Sequence, residues 1–189
     1  MFITGPNVIK QVTGEDVTQD QLGGADTHMS VSGVNSFVAD DDEQAILIAK
    51  KLLSFLPQNN AEDAPIVPGE YNLEYDDKLG DIVPVDGKAG YDVRDIIGRI
   101  VDNADFLEVQ AGYATNIVVG FARINGRSVG IVANQPNSLA GVLDINASDK
   151  GSKFIRFLNA FNIPIVTLVD VPGYLPGVAQ EYGGIIRHG

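Results

Sequence analysis

Cysteine is absent from the 189 residues, which excludes disulfides, thiol nucleophiles and zinc–thiolate sites. That absence permits a reducing cytoplasm without requiring one. Basic residues are few: 13 Lys plus Arg stand against 25 Asp plus Glu, for a formal charge of −12. A nucleic acid or an anionic membrane surface would need clustered Lys and Arg, so neither is expected as a partner. Histidine occurs only at His28 and His188, too sparsely for a transition-metal cluster in a chain without cysteine. No apolar run reaches transmembrane length, and the N-terminus lacks the basic-then-apolar build of a signal peptide. Neither a Walker A loop nor a Gly-x-Gly-x-x-Gly fingerprint is present, so ATP and NAD sites find no support. Paired acids fall only on surface-like helices, which gives no hydrolase dyad.

What is present is an ordinary globular composition, 44% hydrophobic and 20% charged, able to bury a core. The organising stretch is residues 161–177. Residues 163–169 are almost continuously apolar and largely β-branched, which predicts a strand buried on both faces of a parallel sheet. It ends at Asp170, and Pro172-Gly173 and Pro176-Gly177 restrict the loop that follows. Ligands in open α/β sheets sit beyond the carboxyl ends of strands, so this loop is the first place to look for a site.

Upstream, residues 4–12 predict a short helix with Thr4 as N-cap and Pro6 in the first turn, ended by Thr13-Gly14. Leu22-Gly23-Gly24 marks a loop or a second helix end, and residues 30–38 alternate as a short strand or extended segment. Residues 40–56 are the clearest helix. Asp40 and Glu43 have capping-box spacing, and Ala45, Ile46, Ala49, Leu52, Leu53 and Leu56 form one stripe. The acids at 40–43 lack the interleaved spacing and glycine of a calcium loop, so capping is the better account.

From Pro57 to Gly90 prolines alternate with Asn, Asp and Gly, the character of a linker that divides the chain. Asp92 then caps a helix carrying Val93, Ile96, Ile97, Ile100 and Val101. Residues 116–124 and 127–134 are β-rich runs joined by Asn125-Gly126, a type I′ hairpin turn. After a loop over 135–147, Ser148 or Asp149 caps a helix with Phe154, Phe157, Leu158 and Phe161, and another helix starts near Val178. Together these make an α/β layered unit.

Gly126-Arg127-Ser128-Val129-Gly130 matches the serine-hydrolase elbow pattern. That motif needs a strand turning into a helix, and here it straddles a hairpin turn, so it is read as chance. Both histidines read as hydrogen-bonded structural residues. Glycine and backbone remain: Gly23-Gly24, Gly183-Gly184, Ala140-Gly141 and the Pro-Gly loop let main-chain N–H groups approach a ligand, a recognised way to hold an oxyanion.

Several ordered segments resemble one family, the carboxyltransferase subunits of biotin-dependent acyl-CoA carboxylases and decarboxylases. They begin with Phe2-Ile3-Thr4-Gly5-Pro6, Val12-Thr13-Gly14-Glu15-Asp16-Val17 and Leu22-Gly23-Gly24-Ala25 with Thr27-His28. Ile117-Val118-Val119-Gly120-Phe121-Ala122-Arg123 and Val129-Gly130-Ile131-Val132-Ala133-Asn134-Gln135-Pro136 follow. Leu143-Asp144-Ile145-Asn146 and Phe154-Ile155-Arg156-Phe157 continue the series. Asp170-Val171-Pro172-Gly173-Tyr174-Leu175-Pro176-Gly177 and the run from Gln180 to Gly189 complete it. The resemblance covers nearly everything except the linker, and is greatest to propionyl-CoA carboxylase β and methylmalonyl-CoA decarboxylase α subunits.

The resemblance implies a crotonase-like β/α superhelix fold, with residues 1–57 ending one domain, 58–90 as linker and 91–189 starting a second. It implies transfer of a carboxyl group between biotin and the α-carbon of a propionyl- or methylmalonyl-CoA thioester. Biotin would ride on a separate carrier, with biotin carboxylase or membrane decarboxylase subunits and further copies of the full-length subunit as partners. The expected setting is cytoplasmic, with attachment to a membrane decarboxylase complex as a variant. The family's two glycine-rich oxyanion segments fall outside this sequence, and both ends look cut, so an inert internal fragment is expected. A noncatalytic scaffold and a biotin-independent acyl-CoA enzyme of the same fold stand as alternatives. No catalytic side chain and no metal ligand is assigned. Pro172, Gly173, Tyr174 and Gly177 are expected to wall the biotin and acyl pocket, with Ala140 and Gly141 beside them.

Overall fold

In the computed structural model, which describes residues 1–71, 76–87 and 89–189, the hairpin at Asn125-Gly126 forms the middle of a four-stranded sheet. Residues 72–75 and 88, which belong to the expected linker, lie outside the described residues. The strands are β1 (Phe106–Val109), β2 (Ile117–Ile124), β3 (Arg127–Asn134) and β4 (Ile165–Leu168), in the order β1-β2-β3-β4. The first three run antiparallel, and β4 lies parallel to β3. Asn125 and Gly126 both adopt positive φ, as a type I′ turn requires.

Helices cover both faces of β2 and β3, which is why residues 117–122 and 129–133 of those strands are apolar rather than alternating. On one face lies α6 (Ile145–Ala160), whose Ala147, Phe154 and Leu158 pack with Ile117, Val119, Phe121 and Val132. Phe121 is the hub of this layer, 5.1 Å edge-on from Phe154 and 5.8 Å stacked on Phe55. On the other face α5 (Val93–Ile100) sets Val93 and Ile97 against Val118, Ile131 and Ala133. Asp92 caps α5 by accepting from the Arg94 N–H.

The N-terminal part holds α1 (Pro6–Thr13), α2 (Gln19–Gly23), α3 (Ala25–Ser30) and α4 (Asp42–Ser54). Gly5 rather than Thr4 is the N-cap of α1, and Gly14 ends that helix in the left-handed region. Of the two expectations for residues 30–38, the strand does not form: Ser30 ends α3, Ser36 offers one carbonyl to the Gln110 N–H, and among the described residues the segment joins no ladder. The cap of α4 sits one residue later than expected. Asp41 accepts from the Gln44 N–H, while the Gln44 side chain accepts from the Asp40 N–H. Its inner face is also displaced, because Leu52, Phe55 and Leu56 reach the core while Ile46 and Leu53 are exposed.

Two further expectations fail, the first because burial of a strand depends on distant neighbours, the second because the first turns of α6 carry no apolar period. Among the described residues β4 pairs only with β3, in parallel as expected, and its residues alternate between exposed and half-buried, so it is an edge strand here, not one covered on both faces. Helix α6 begins two turns before its apolar run. Asp144, not Ser148 or Asp149, is its cap and accepts from the Ala147 N–H at 2.9 Å. After β4 come α7 (Val178–Gly183) and α8 (Ile185–His188).

Candidate functional site

Two turns meet beyond the carboxyl ends of β3 and β4. The first, residues 139–141, places Leu139, Ala140 and Gly141 in succession at φ of 49°, 51° and 73°. Left-handed backbone costs roughly 1 kcal/mol or more for a residue with a Cβ, so two such residues in a row are a stored strain. Gly141 has a second reason to be glycine: a Cβ there would lie 2.6 Å from the Asp170 carbonyl oxygen.

The second turn is the Pro-Gly loop. The Leu143 N–H donates to the Gly173 carbonyl at 3.0 Å, and the Leu175 N–H donates to the Leu143 carbonyl at 2.8 Å. These bonds knit residues 142–144 to 173–175 as a short parallel bridge. Gly173 and Gly177 take φ of 143° and 150°, values open only to glycine, and the space on their Cβ side is empty to 4 Å. Tyr174 leaves 52% of its surface exposed and donates its hydroxyl to the Gly189 carbonyl at 3.0 Å. Its ring flanks a cavity of about 390 Å³ between α6 and the chain's last residues, lined by Ser148, Ser152, Arg156, His188 and Gly189.

Of the residues named from sequence, Gly141, Gly173 and Tyr174 are therefore brought together, with Ala140 in the strained turn beside them. Pro172 is exposed on the same loop, and Gly177 stands farther along it as the N-cap of α7. Three neighbours were not singled out for the site. Asn134, buried at the end of β3, donates to the Gly141 carbonyl at 3.0 Å and accepts from the Asp170 N–H at 3.3 Å. One side chain thus clips both turns together. Tyr91 donates to Asp170 Oδ2 at 2.9 Å, and burial, together with that carboxylate, pushes its phenol up to about 12. Asn116 donates to the Val142 carbonyl at 2.7 Å and to Asp144 at 3.2 Å. Only the position of Asn134 directly after an apolar strand run hinted at such a role.

Both histidines are held in hydrogen bonds, although His188 also lines the cavity beside Tyr174. His188 Nδ1 meets Asp149 at 2.8 Å, and His28 Nδ1 meets Ser32 at 2.7 Å with its other nitrogen on the Met1 carbonyl. Ser128 is buried within β3, so the hydrolase-like pattern makes no elbow. The site is built from glycine backbone, an exposed aromatic ring and amide clips. Such a surface suits a flat, partly apolar ligand.

The profile of the carboxyl transferase domain matches residues 1–189, the whole chain. The chain belongs to the carboxyl transferase family. It is 68% identical over 189 residues to the methylmalonyl-CoA carboxyltransferase 12S subunit of Propionibacterium freudenreichii subsp. shermanii, covering 100% of this chain and 36% of that protein. It is 58% identical over 190 residues to the methylmalonyl-CoA decarboxylase subunit alpha of Veillonella parvula, covering 100% of this chain and 37% of that one. A crystal structure of transcarboxylase 12S, described as a hexamer assembly with hydrolysed methylmalonyl-coenzyme A bound, superposes with a TM-score of 0.97 at 68% identity. That match covers 100% of this chain and 37% of the other. The chain thus spans about a third of the length of these carboxyl transferase relatives. Its fold is the crotonase-like α/β fold of the family, as the sequence implied.

Proposed function

We propose that the intact protein is the carboxyltransferase subunit of a biotin-dependent acyl-CoA enzyme. It moves a carboxyl group between biotin and the α-carbon of propionyl- or methylmalonyl-CoA. The observation that carries this reading is the end-to-end family match, at 68% identity to a methylmalonyl-CoA carboxyltransferase subunit. The geometry agrees with it. A carboxyl transfer needs little from titrating side chains and much from oriented backbone dipoles, and this site is made mostly of backbone.

In this reading residues 1–57 close one domain, 58–90 link, and 91–189 open a second. Pro172, Gly173, Tyr174 and Gly177, with Ala140 and Gly141, wall the pocket for the biotin head and the acyl group. The open space over Gly173 and Gly177 and the exposed Tyr174 ring fit a flat bicyclic group. Biotin supplies a ureido nitrogen that carries the carboxyl group, while the donors for the thioester enolate lie in segments outside these 189 residues. A biotin carrier, a biotin carboxylase or membrane decarboxylase subunits, and further copies of the intact subunit complete the assembly, in the cytoplasm. Among the described residues no helix is long and apolar enough to cross a membrane.

The test is transfer of labelled carboxyl from methylmalonyl-CoA to a biotinylated carrier. The intact protein transfers label, and the 189-residue chain alone does not. Tyr174→Ala in the intact protein lowers transfer on the order of 10-fold through lost positioning, without a large fall in melting temperature, because the ring is exposed. An intact protein that binds the carrier and the thioester yet moves no label would overturn the reading.

A further inference from the structure

Lys150 on α6 is the one lysine buried to 2% exposure among the described residues, and it appears in none of their ion pairs. Its Nζ instead donates to four backbone carbonyls: Tyr113 at 2.7 Å, Ile117 at 2.8 Å, Gln110 at 3.0 Å and Ala114 at 3.4 Å. All four belong to residues 110–117, the connection from β1 to β2 together with the first residue of β2. Gln110 and Ala114 sit at positive φ, 53° and 44°, an arrangement unfavourable for residues with a Cβ unless something fixes it.

The outer side of this loop holds the N-terminal part of the chain. The Gln110 N–H donates to the Ser36 carbonyl at 2.9 Å, and its side chain donates to the Gly33 carbonyl. The two segments also interlock by shape. A Cβ on Gly112 would lie 2.8 Å from Met29 Cγ, and one on Gly33 would lie 2.6 Å from the Tyr113 ring.

We propose that Lys150 is a tethered cation at the centre of a carbonyl cage, and that this cage shapes the 110–117 loop and so seats residues 29–36 on the sheet. Four converging carbonyl oxygens replace the hydration shell of an ammonium group as they replace that of a potassium ion. The Gln110 and Ala114 carbonyls also accept from the Tyr113 and Ile117 N–H groups, so the three N–H bonds of the lysine add to the loop's own turn bonds and draw in the Tyr113 and Ile117 carbonyls. Burial pushes the Lys150 pKa down to about 8, with Glu108 opposing and Arg94 adding to the fall, so the group is still protonated at neutral pH. Lys150 is thus a positioning residue that joins two parts of the chain far apart in sequence. The role does not depend on which acyl-CoA the protein uses.

Removing the tether converts the cage into a site for a free monovalent cation, and this separates a cage from a packing role. In the intact protein, Lys150→Ala raises amide hydrogen-exchange rates in peptides covering 29–36 and 110–117 on the order of 10- to 100-fold. Potassium or ammonium chloride restores the protection, whereas tetramethylammonium chloride at equal ionic strength does not. Lys150→Met keeps the apolar stem and the length but not the charge, so it loosens both peptides and responds to no salt. It also serves as the readout if Lys150→Ala does not fold. Undisturbed protection of 29–36 in Lys150→Met, or equal recovery of Lys150→Ala in all three salts, overturns the proposal.

Discussion

Asn134 is the residue on which both turns of the site depend. Its amide meets one donor and one acceptor, the part-buried Asp170 N–H and the buried Gly141 carbonyl. Asn134→Leu keeps the volume but leaves both groups unpaired, and should cost about 1–3 kcal/mol in urea unfolding. Asn134→Asp should be no better, because it removes the donor and puts a charge beside Asp170. A cost for Asn134→Leu below about 0.5 kcal/mol would mean that the turns hold themselves. Tyr91 gives a spectroscopic handle on the same place. Its phenol is raised to about 12, and an ordinary tyrosine ionises near about 10. As pH rises the unfolded chain loses this proton first. The contribution of Tyr91 to stability is therefore complete below the unfolded pKa and is lost as pH passes through the folded one. Tyr113 is raised too, by burial and by Asp149 and Asp144, so ultraviolet titration should show more than one late tyrosinate step, and the amplitude near about 12 should fall in Tyr91→Phe. An amplitude there that the substitution leaves unchanged would assign it to another tyrosine.

Among the elements, α6 shows most clearly what sequence does and does not reveal. Asp144→Ala removes its cap and one acceptor of the Asn116 amide, and should cost about 1–2 kcal/mol. Asp149→Ala, which touches only the exposed pair with His188, should cost less than about 1 kcal/mol. Equal costs would place the start of the helix at Asp149 after all. The hairpin and the α5 cap were legible because Asn125-Gly126 and Asp92 carry local, nearly sufficient signals. The start of α6 was not, because its first two turns hold Asn146, Ser148, Asp149, Lys150 and Gly151, with no apolar period to follow. Lys150 reads as surface in any periodicity argument, yet it points inward to carbonyls that only the folded loop brings together. In the same way, the glycines of the site were legible from their turn chemistry, whereas Asn134 and Tyr91 needed partners distant in sequence.

For the molecule as a whole, apolar surface is distributed unevenly. The sheet around β2 and β3 is covered on both faces, but among the described residues β4 has no partner on its outer edge, and Val169, Val178, Tyr182 and Ile186, which follow it in the chain, are exposed, the last two by 89% and 91%. Exposed apolar groups and an unpaired strand edge each favour association. A chain that spans about a third of its relatives' length leaves most of a relative's residues to supply cover for such a surface. Taken by itself, the 189-residue chain should therefore self-associate, with a light-scattering mass that rises with concentration and with strong binding of an apolar dye. Tyr182→Ser with Ile186→Ser should weaken both effects, and leave the melting temperature nearly unchanged because neither side chain is buried. The intact protein should bind much less dye per chain. A 189-residue chain that stays monomeric and dye-free at all concentrations would show that this face needs no partner, and that the edge of β4 is protected by its own loop.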